Sequence, residues 1–245
     1  MRSLYVYGSR KKTEVQTVKI NEILPQTVDR CIRILSEKFR KWPYNFFTES
    51  DAHSYLYYSF FRYGSRHLKI TYPSKNRRQT VLVHREYPTF FRYRQKDLSK
   101  RYRLDESEGT CGHYDMIVLN PQFIKDHNIE TVIFKDNKLR QIEYGDHHLL
   151  AAIEFKLLHK PLTRNLLDEI KKDFIKLDWS LKTRQARAAY MLIFNRYGKE
   201  QGLWGILQDM CGKYQNIKLV YQESYYQGAK HVSHIMPYWN QNPIL

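Results

Sequence analysis

The chain is poor in cysteine, and its few cysteines argue against a disulfide-stabilised protein and against a cysteine-ligated zinc protein. Its 245 residues include three cysteines, Cys31, Cys111 and Cys211, which are far apart and odd in number. They match neither a disulfide framework nor the closely spaced pairs of a zinc site. Because this usage suits a reducing compartment, we expect a cytoplasmic protein.

Long apolar runs and nucleotide-binding loops are also missing. No stretch of 18 apolar residues occurs, and polar residues follow the basic cluster at positions 10–12, where a signal peptide would have its apolar core. We therefore expect no membrane span and no export. The absence of a Walker A loop and of a GxGxxG motif argues against an ATP-driven or hydride-transferring enzyme.

Positive charge and aromatic rings are what the chain has in excess. The net charge is +16 at pH 7, and 20 tyrosines and 12 phenylalanines are present. Clustered lysine and arginine attract phosphate backbones, so a nucleic-acid partner is expected. Disordered basic tails lack the aromatic side chains that could form a core. A chain of this length can bury a sizeable hydrophobic core, so we expect a folded domain with extensions.

Hydrophobic periodicity predicts helices alternating with strands. An N-terminal extension over residues 1–45 is expected to hold a short strand or hairpin within residues 1–20 and a helix over 25–40, packed on a core over 46–222 and followed by a tail over 223–245. Further helices are predicted over 49–62, 162–177 and 203–213. Strands are predicted over 68–72, 80–86, 114–119, 131–135, 149–155, 188–194 and 217–222, the first two forming a hairpin. This order favours an α/β fold with a mixed central sheet flanked by helices.

Charged residues interrupt two apolar runs that otherwise predict buried strands. Glu154 and Lys156 lie in the run 149–158, and Asp115 opens the run 116–119. Burying unpaired charges is costly, so a core would normally reject them unless they serve a metal ion and an acidic substrate. Strand alternation places Glu154 and Lys156 on one face. A hard cation joining the two carboxylates would be Mg²⁺ or Mn²⁺ rather than Zn²⁺.

The segments 112–115 and 153–156, with the sequences GHYD and IEFK, resemble the motif of the PD-(D/E)XK nuclease superfamily. The resemblance covers about residues 46–222 and implies a restriction-endonuclease-like αβββαβ core. It implies metal ligation by Asp115, Glu154 and the backbone carbonyl of Phe155, with Lys156 as the catalytic lysine. The position before Asp115 is Tyr114, where the family name has proline. The 38 residues between Asp115 and Glu154 imply an insertion, which we place at 120–145 as a hairpin plus loop.

Many members of this superfamily carry a glutamate on the first core helix that completes the metal site, and Glu49 matches that position. Glu49 shares a helical stripe with His53, so it is expected to project with the buried side. A role for Glu49 at the helix dipole is the competing interpretation. Asp51 is expected to cap the helix together with Thr48. Glu86 is a further acidic candidate at a strand end.

Basic and aromatic residues alternate over positions 84–103, which is typical of a nucleic-acid channel. A solvated basic loop anchored by its rings explains the pattern equally well. The helix face with Lys171, Lys172 and Lys176 favours an ordinary exposed surface over a binding one. The predicted nucleic-acid-binding residues are Arg85, Arg92, Arg94, Lys96, Arg101, Arg103, Lys172 and Lys176.

Together these features predict a metal-dependent phosphodiesterase, a DNA endonuclease using Mg²⁺ or Mn²⁺. Its catalytic residues would be Asp115, Glu154, Lys156 and Glu49, with DNA favoured over RNA and no membrane partner. Homodimer formation, common where two strands must be cut, is left open. The alternative is a noncatalytic nucleic-acid-binding protein on the same scaffold, and a third interpretation is an interaction module whose charge serves solubility.

Overall fold

One mixed sheet of six strands organises the part of the chain that the structure describes. This computed structural model describes residues 7–93, 110–132, 147–198, 203–227 and 230–238. The sheet strands are β3 (Val83–Tyr93), β4 (Thr110–Leu119), β5 (Leu149–Leu158), β6 (Ala186–Asn195), β7 (Ile217–Gln227) and β8 (Lys230–Tyr238), in that spatial order. Pairing is parallel between β5, β6 and β7 and antiparallel elsewhere.

Helices cover both faces of this sheet. They are α1 (Tyr7–Lys41), α2 (Glu49–Tyr63), α3 (Pro121–Asp126), α4 (Ile129–Val132), α5 (Arg164–Lys182) and α6 (Leu203–Lys213). Phe194 of β6 packs on Phe39 of α1, and Phe155 of β5 packs on His53 of α2. The alternate residues of β5 face α5, where Glu154 meets Lys176. Helices α1 and α2 therefore lie on one face of the sheet, and α5 lies on the other.

The strongly periodic elements agree with the sequence predictions. Helix α2 begins at the expected residue, α6 has the expected bounds, and α5 covers most of the predicted helix. Four of the predicted strands lie within β4, β5, β6 and β7. The mixed sheet flanked by helices is thus confirmed. No helix in the described ranges is long and apolar enough to cross a membrane.

The N-terminal prediction was wrong in its first part. Residues 7–20, expected as a strand or hairpin, belong to α1, which also continues through Pro25. Their loose alternation was a weak signal, and helix propagation from the strongly periodic part is cooperative. Buried residues of α1 belong to the same core cluster as the sheet, so the extension is continuous with the predicted core.

Three strand predictions also needed correction. The predicted hairpin is reduced to β1 (Tyr72–Pro73) paired with β2 (Gln79–Thr80), since Val83 onward joins the main sheet as β3. Residues 131–132 end α4 instead of starting a strand; the three-residue spacing of buried Ile129 and Val132 suits a helix. The described part of the 120–145 insertion holds two short helices, and residues 133–146 lie outside the described ranges.

The predicted tail contains an additional strand. Residues 223–227 extend β7, and β8 pairs with it in an antiparallel hairpin. Pro237 lies in β8, opposite Val220. An edge strand tolerates proline because one side of it needs no ladder donor.

The predicted cap of α2, formed by Thr48 and Asp51, is present. The Asp51 carboxylate accepts hydrogen bonds of 2.8 Å from the backbone N–H groups of Thr48 and Phe47. Replacing Asp51 with alanine is expected to lower the free energy of unfolding by about 1 kcal/mol, as for other lost caps. Urea denaturation measures this loss.

The pH dependence of the stability lost in Asp51→Ala provides a control for the capping role. The hydrogen bond from Thr48 holds the pKa of Asp51 below its ordinary value of 3.8. A carboxyl with a lowered pKa stabilises the folded state above its unfolded pKa and stops doing so as the pH falls. The difference between wild type and Asp51→Ala should therefore shrink at acid pH, and a difference independent of pH would contradict the capping role.

Candidate functional site

The site begins where the pairing of β4 with β5 ends. That pairing runs from Leu119–Leu149 to Met116–Ile153, so Asp115 and Glu154 are the next residues on the two strands. Beyond the last pair, the Asp115 carboxylate accepts a hydrogen bond of 2.7 Å from the backbone N–H of Phe155. The contact brings Asp115 to the segment that holds Glu154 and Lys156, although 38 residues separate them in sequence.

Alternation along β5 divides its side chains between the two faces of the sheet. The Phe155 ring lies toward α2, with its centroid 4.5 Å from that of His53. Glu154 and Lys156 lie toward α5: an oxygen of Glu154 is 2.6 Å from Lys176 Nζ, and Lys156 Nζ is 3.0 Å from Asp173 Oδ2. The two charged residues of the strand are therefore each matched by an opposite charge from one helix.

Helix α2 adds Glu49 and His53, one turn apart, to this end of the sheet. Glu49 Oε1 accepts a hydrogen bond of 3.2 Å from the backbone N–H of Leu157, and Oε2 is 4.0 Å from Lys156 Nζ. His53 is buried with Nε2 3.8 Å from Asp115 Oδ2, and this nitrogen makes no hydrogen bond within the described residues. All four predicted catalytic residues are thus close together.

Helix α5 contributes two buried charges whose place was not predicted. Asp173 bridges the two lysines, with Oδ1 3.2 Å from Lys176 Nζ and Oδ2 3.0 Å from Lys156 Nζ. Lys176 also donates a hydrogen bond of 2.7 Å to the backbone carbonyl of His113. A continuous chain of ion pairs therefore links Glu154 through Lys176 and Asp173 to Lys156.

Lys176 corrects one prediction. It was expected on an exposed helix face and among the nucleic-acid-binding residues, but only 6% of it is exposed. Its ammonium instead reaches the sheet, where it lies 2.6 Å from an oxygen of Glu154. Asp173 carried a usable signal, because it falls on the buried stripe with Ile170 and Leu177.

Burial and charge pairing shift several pKa values in opposite directions. Burial raises the pKa of Glu154 well above its ordinary value, with Lys176 opposing, and burial also raises the pKa of Glu49. Burial would raise the pKa of Asp173 too, but Lys176 and Lys156 outweigh it and lower that pKa. Against their burial, the nearby carboxylates raise the pKa of both lysines, which therefore stay protonated.

The donor set suits a hard divalent cation in type and charge. Glu49, Asp115, Glu154 and Asp173 face two ammonium groups, so full ionisation leaves a surplus of negative charge. No three His, Cys, Asp or Glu side chains within the described ranges are arranged around one metal position. Mg²⁺, however, is commonly held by one or two carboxylates with water and substrate phosphates. Asp115 and Glu154 supply two such carboxylates at this end of the sheet.

The predicted nucleic-acid-binding residues are only partly described. Arg85 is exposed on β3, and its guanidinium donates to the hydroxyls of Ser50 and Ser54 on α2, beside the site. Lys172 is half-buried on α5, and Glu86 is exposed on β3, between the residues that pair with Met116 and Tyr114. The backbone of Arg92 belongs to β3, whereas its side chain is outside the description. Also outside the described residues are Arg94, Lys96, Arg101 and Arg103.

Comparison with known proteins gives no family assignment that would bear on this site. No family model, no curated protein and no solved structure matches the chain. The nuclease resemblance therefore depends on the two short motifs, on the order of elements from α2 to β6, and on the contacts between Glu49, Asp115, Glu154 and Lys156.

Proposed function

We propose that the chain is a Mg²⁺- or Mn²⁺-dependent nuclease with a restriction-endonuclease-like core, and that it acts as a DNA endonuclease. The observation that carries the proposal is the meeting of Glu49, Asp115, Glu154 and Lys156 at one end of the sheet. These residues come from three elements, α2, β4 and β5, and the sequence pattern alone predicts each of them. The order α2, β3, β4, β5, α5, β6 also follows the αβββαβ pattern that the resemblance implies.

In this proposal Asp115, Glu154 and the Phe155 carbonyl hold the cation. When bound, such an ion lowers the pKa of a water molecule and offsets charge that grows on the scissile phosphate. Lys156 remains protonated beside Asp173, so it orients the attacking water or neutralises developing negative charge and does not serve as a base. Glu49, whose Oε2 lies 4.0 Å from the same ammonium, assists.

The basic test is metal-dependent cleavage. The purified chain is expected to convert closed circular DNA to open and linear forms with Mg²⁺ or Mn²⁺ and to leave it intact in EDTA. Gel electrophoresis separates these products, and circular DNA reports internal cleavage because it has no ends. RNA of matched sequence tests the expected preference for DNA. Cleavage that continues in EDTA, or none with either metal on any substrate, would overturn the proposal.

A noncatalytic nucleic-acid-binding role is the second candidate. The observation that favours it is the 2.6 Å ion pair of Glu154 with Lys176, which engages a proposed metal ligand with a protein cation. The net charge of +16 would supply binding without chemistry. Tight, salt-sensitive binding in the absence of any cleavage would support this candidate.

A further inference from the structure

Several large aromatic rings are exposed around the junction of α1 and α2. Phe47 is 68% exposed and Trp42 is 48% exposed, and Tyr44 is similarly exposed. Rings of this size normally lie in a core, and clusters of them on a surface mark interaction sites. None of these rings was singled out from the sequence.

Cations are interleaved with these rings. Lys38 Nζ lies 4.0 Å from the centroid of the Trp42 ring, and Arg196 Cζ lies 5.8 Å from that of Tyr44 and 5.9 Å from that of Phe47. A hydrogen bond holds Arg196 in place, since its guanidinium donates to the backbone carbonyl of Phe46 over 2.8 Å. The surface therefore alternates flat apolar rings with positive charge.

This surface borders the candidate site. Phe47 precedes Glu49 by two residues, immediately before α2 begins. Arg196 directly follows β6, and its backbone N–H donates a hydrogen bond of 2.9 Å to the carbonyl of Leu158 at the end of β5. Lys156 lies two residues before Leu158, so the rings and the proposed catalytic residues lie at the same end of the sheet.

We propose that this surface, formed by Trp42, Tyr44 and Phe47 with Lys38 and Arg196, binds an unpaired stretch of nucleic acid. Bases stack on aromatic rings without regard to sequence, and lysine and arginine neutralise the phosphates between them. A duplex buries its base faces in its own stack, so only an unpaired strand can use the rings. The inference rests on the proposed function and narrows its substrate to one with a single-stranded segment beside the cleaved bond.

Fluorescence anisotropy with a labelled oligothymidylate, in EDTA so that no cleavage occurs, tests this surface. Phe47→Ala and Trp42→Ala are each expected to weaken single-strand binding roughly 5- to 150-fold, the range for loss of one stacked base. Phe47→Tyr should retain most of the affinity because a ring remains. Ile70→Ala is the matched control, since Ile70 is also an exposed apolar side chain and lies outside this surface. Thermal unfolding verifies that each variant is folded.

Three results would overturn the proposal: unchanged affinity in both alanine variants, equal wild-type affinity for a duplex of the same length, or Phe47-dependent binding of anionic phospholipid vesicles without binding of the oligonucleotide. These results are separate from a failure of the nuclease proposal. If the chain never cleaves DNA but its single-strand binding depends on the rings, the binding-surface proposal is supported and the nuclease proposal is not. If the chain cleaves DNA with metal but binding does not depend on the rings, only the nuclease proposal is supported.

Discussion

Replacing Glu154 with glutamine is expected to reduce metal-dependent cleavage by about 100-fold or more while DNA binding persists. Glutamine keeps the shape of the side chain but removes the charge that a hard cation needs. Glu154 is buried, so it contributes no surface to a DNA contact. Initial cleavage rates under saturating metal, with affinity measured separately in EDTA, distinguish loss of chemistry from loss of binding.

The matched control for this change is Glu130→Gln. Glu130 is an exposed carboxylate on α4 that pairs with Arg78, so the same chemical change there should leave the cleavage rate unchanged. Lys156→Met should resemble Glu154→Gln, because Lys156 is the cation proposed to act at the phosphate. Undiminished cleavage by Glu154→Gln would remove Glu154 from the proposed chemistry.

The site was partly predictable because the sequence placed charges where apolar residues were expected. Asp115, Glu154 and Lys156 interrupt strands that are otherwise apolar, and that pattern needs a reason in any fold. Asp173 and Lys176 gave a weaker signal, since charged residues on a helix are ordinary. Their importance depends on which face of α5 meets the sheet, and that is a tertiary fact.

The fold was predictable where one period dominated. Helices α2, α5 and α6 and the central strands have apolar spacings that allow one interpretation. Residues 7–20 and strand β8 lack such a spacing, and their structures follow from continuation of a helix and from pairing with β7. The exposed rings at residues 42–47 show the same limit, because aromatic content predicts a core and gives no exposure for a particular ring.

Removing the charge of Lys176 should destabilise the fold strongly. In Lys176→Met, Glu154 loses its 2.6 Å partner and Asp173 loses one of its two lysines, all at buried positions. Breaking a buried ion pair from one side costs about 3–5 kcal/mol, because a charge is left without compensation. Urea denaturation followed by circular dichroism measures the change. Lys171→Met on the same helix is the control, since Lys171 is exposed and a surface pair contributes about 1 kcal/mol or less.

The pH dependence of this variant identifies the charge responsible. Burial raises the pKa of Glu154 and Lys176 lowers it, so removing Lys176 raises the pKa of Glu154 further. A carboxyl whose pKa is raised on folding favours the folded state at low pH, and this contribution is lost as the pH rises through the folded pKa. The penalty of Lys176→Met should therefore shrink as the pH is lowered from neutral toward 4.5, the ordinary value for Glu154. Adding Glu154→Gln should recover part of the stability at neutral pH, since it removes the uncompensated charge. A penalty unaffected by both pH and the second substitution would mean that Lys176 stabilises the fold through the packing of its stem.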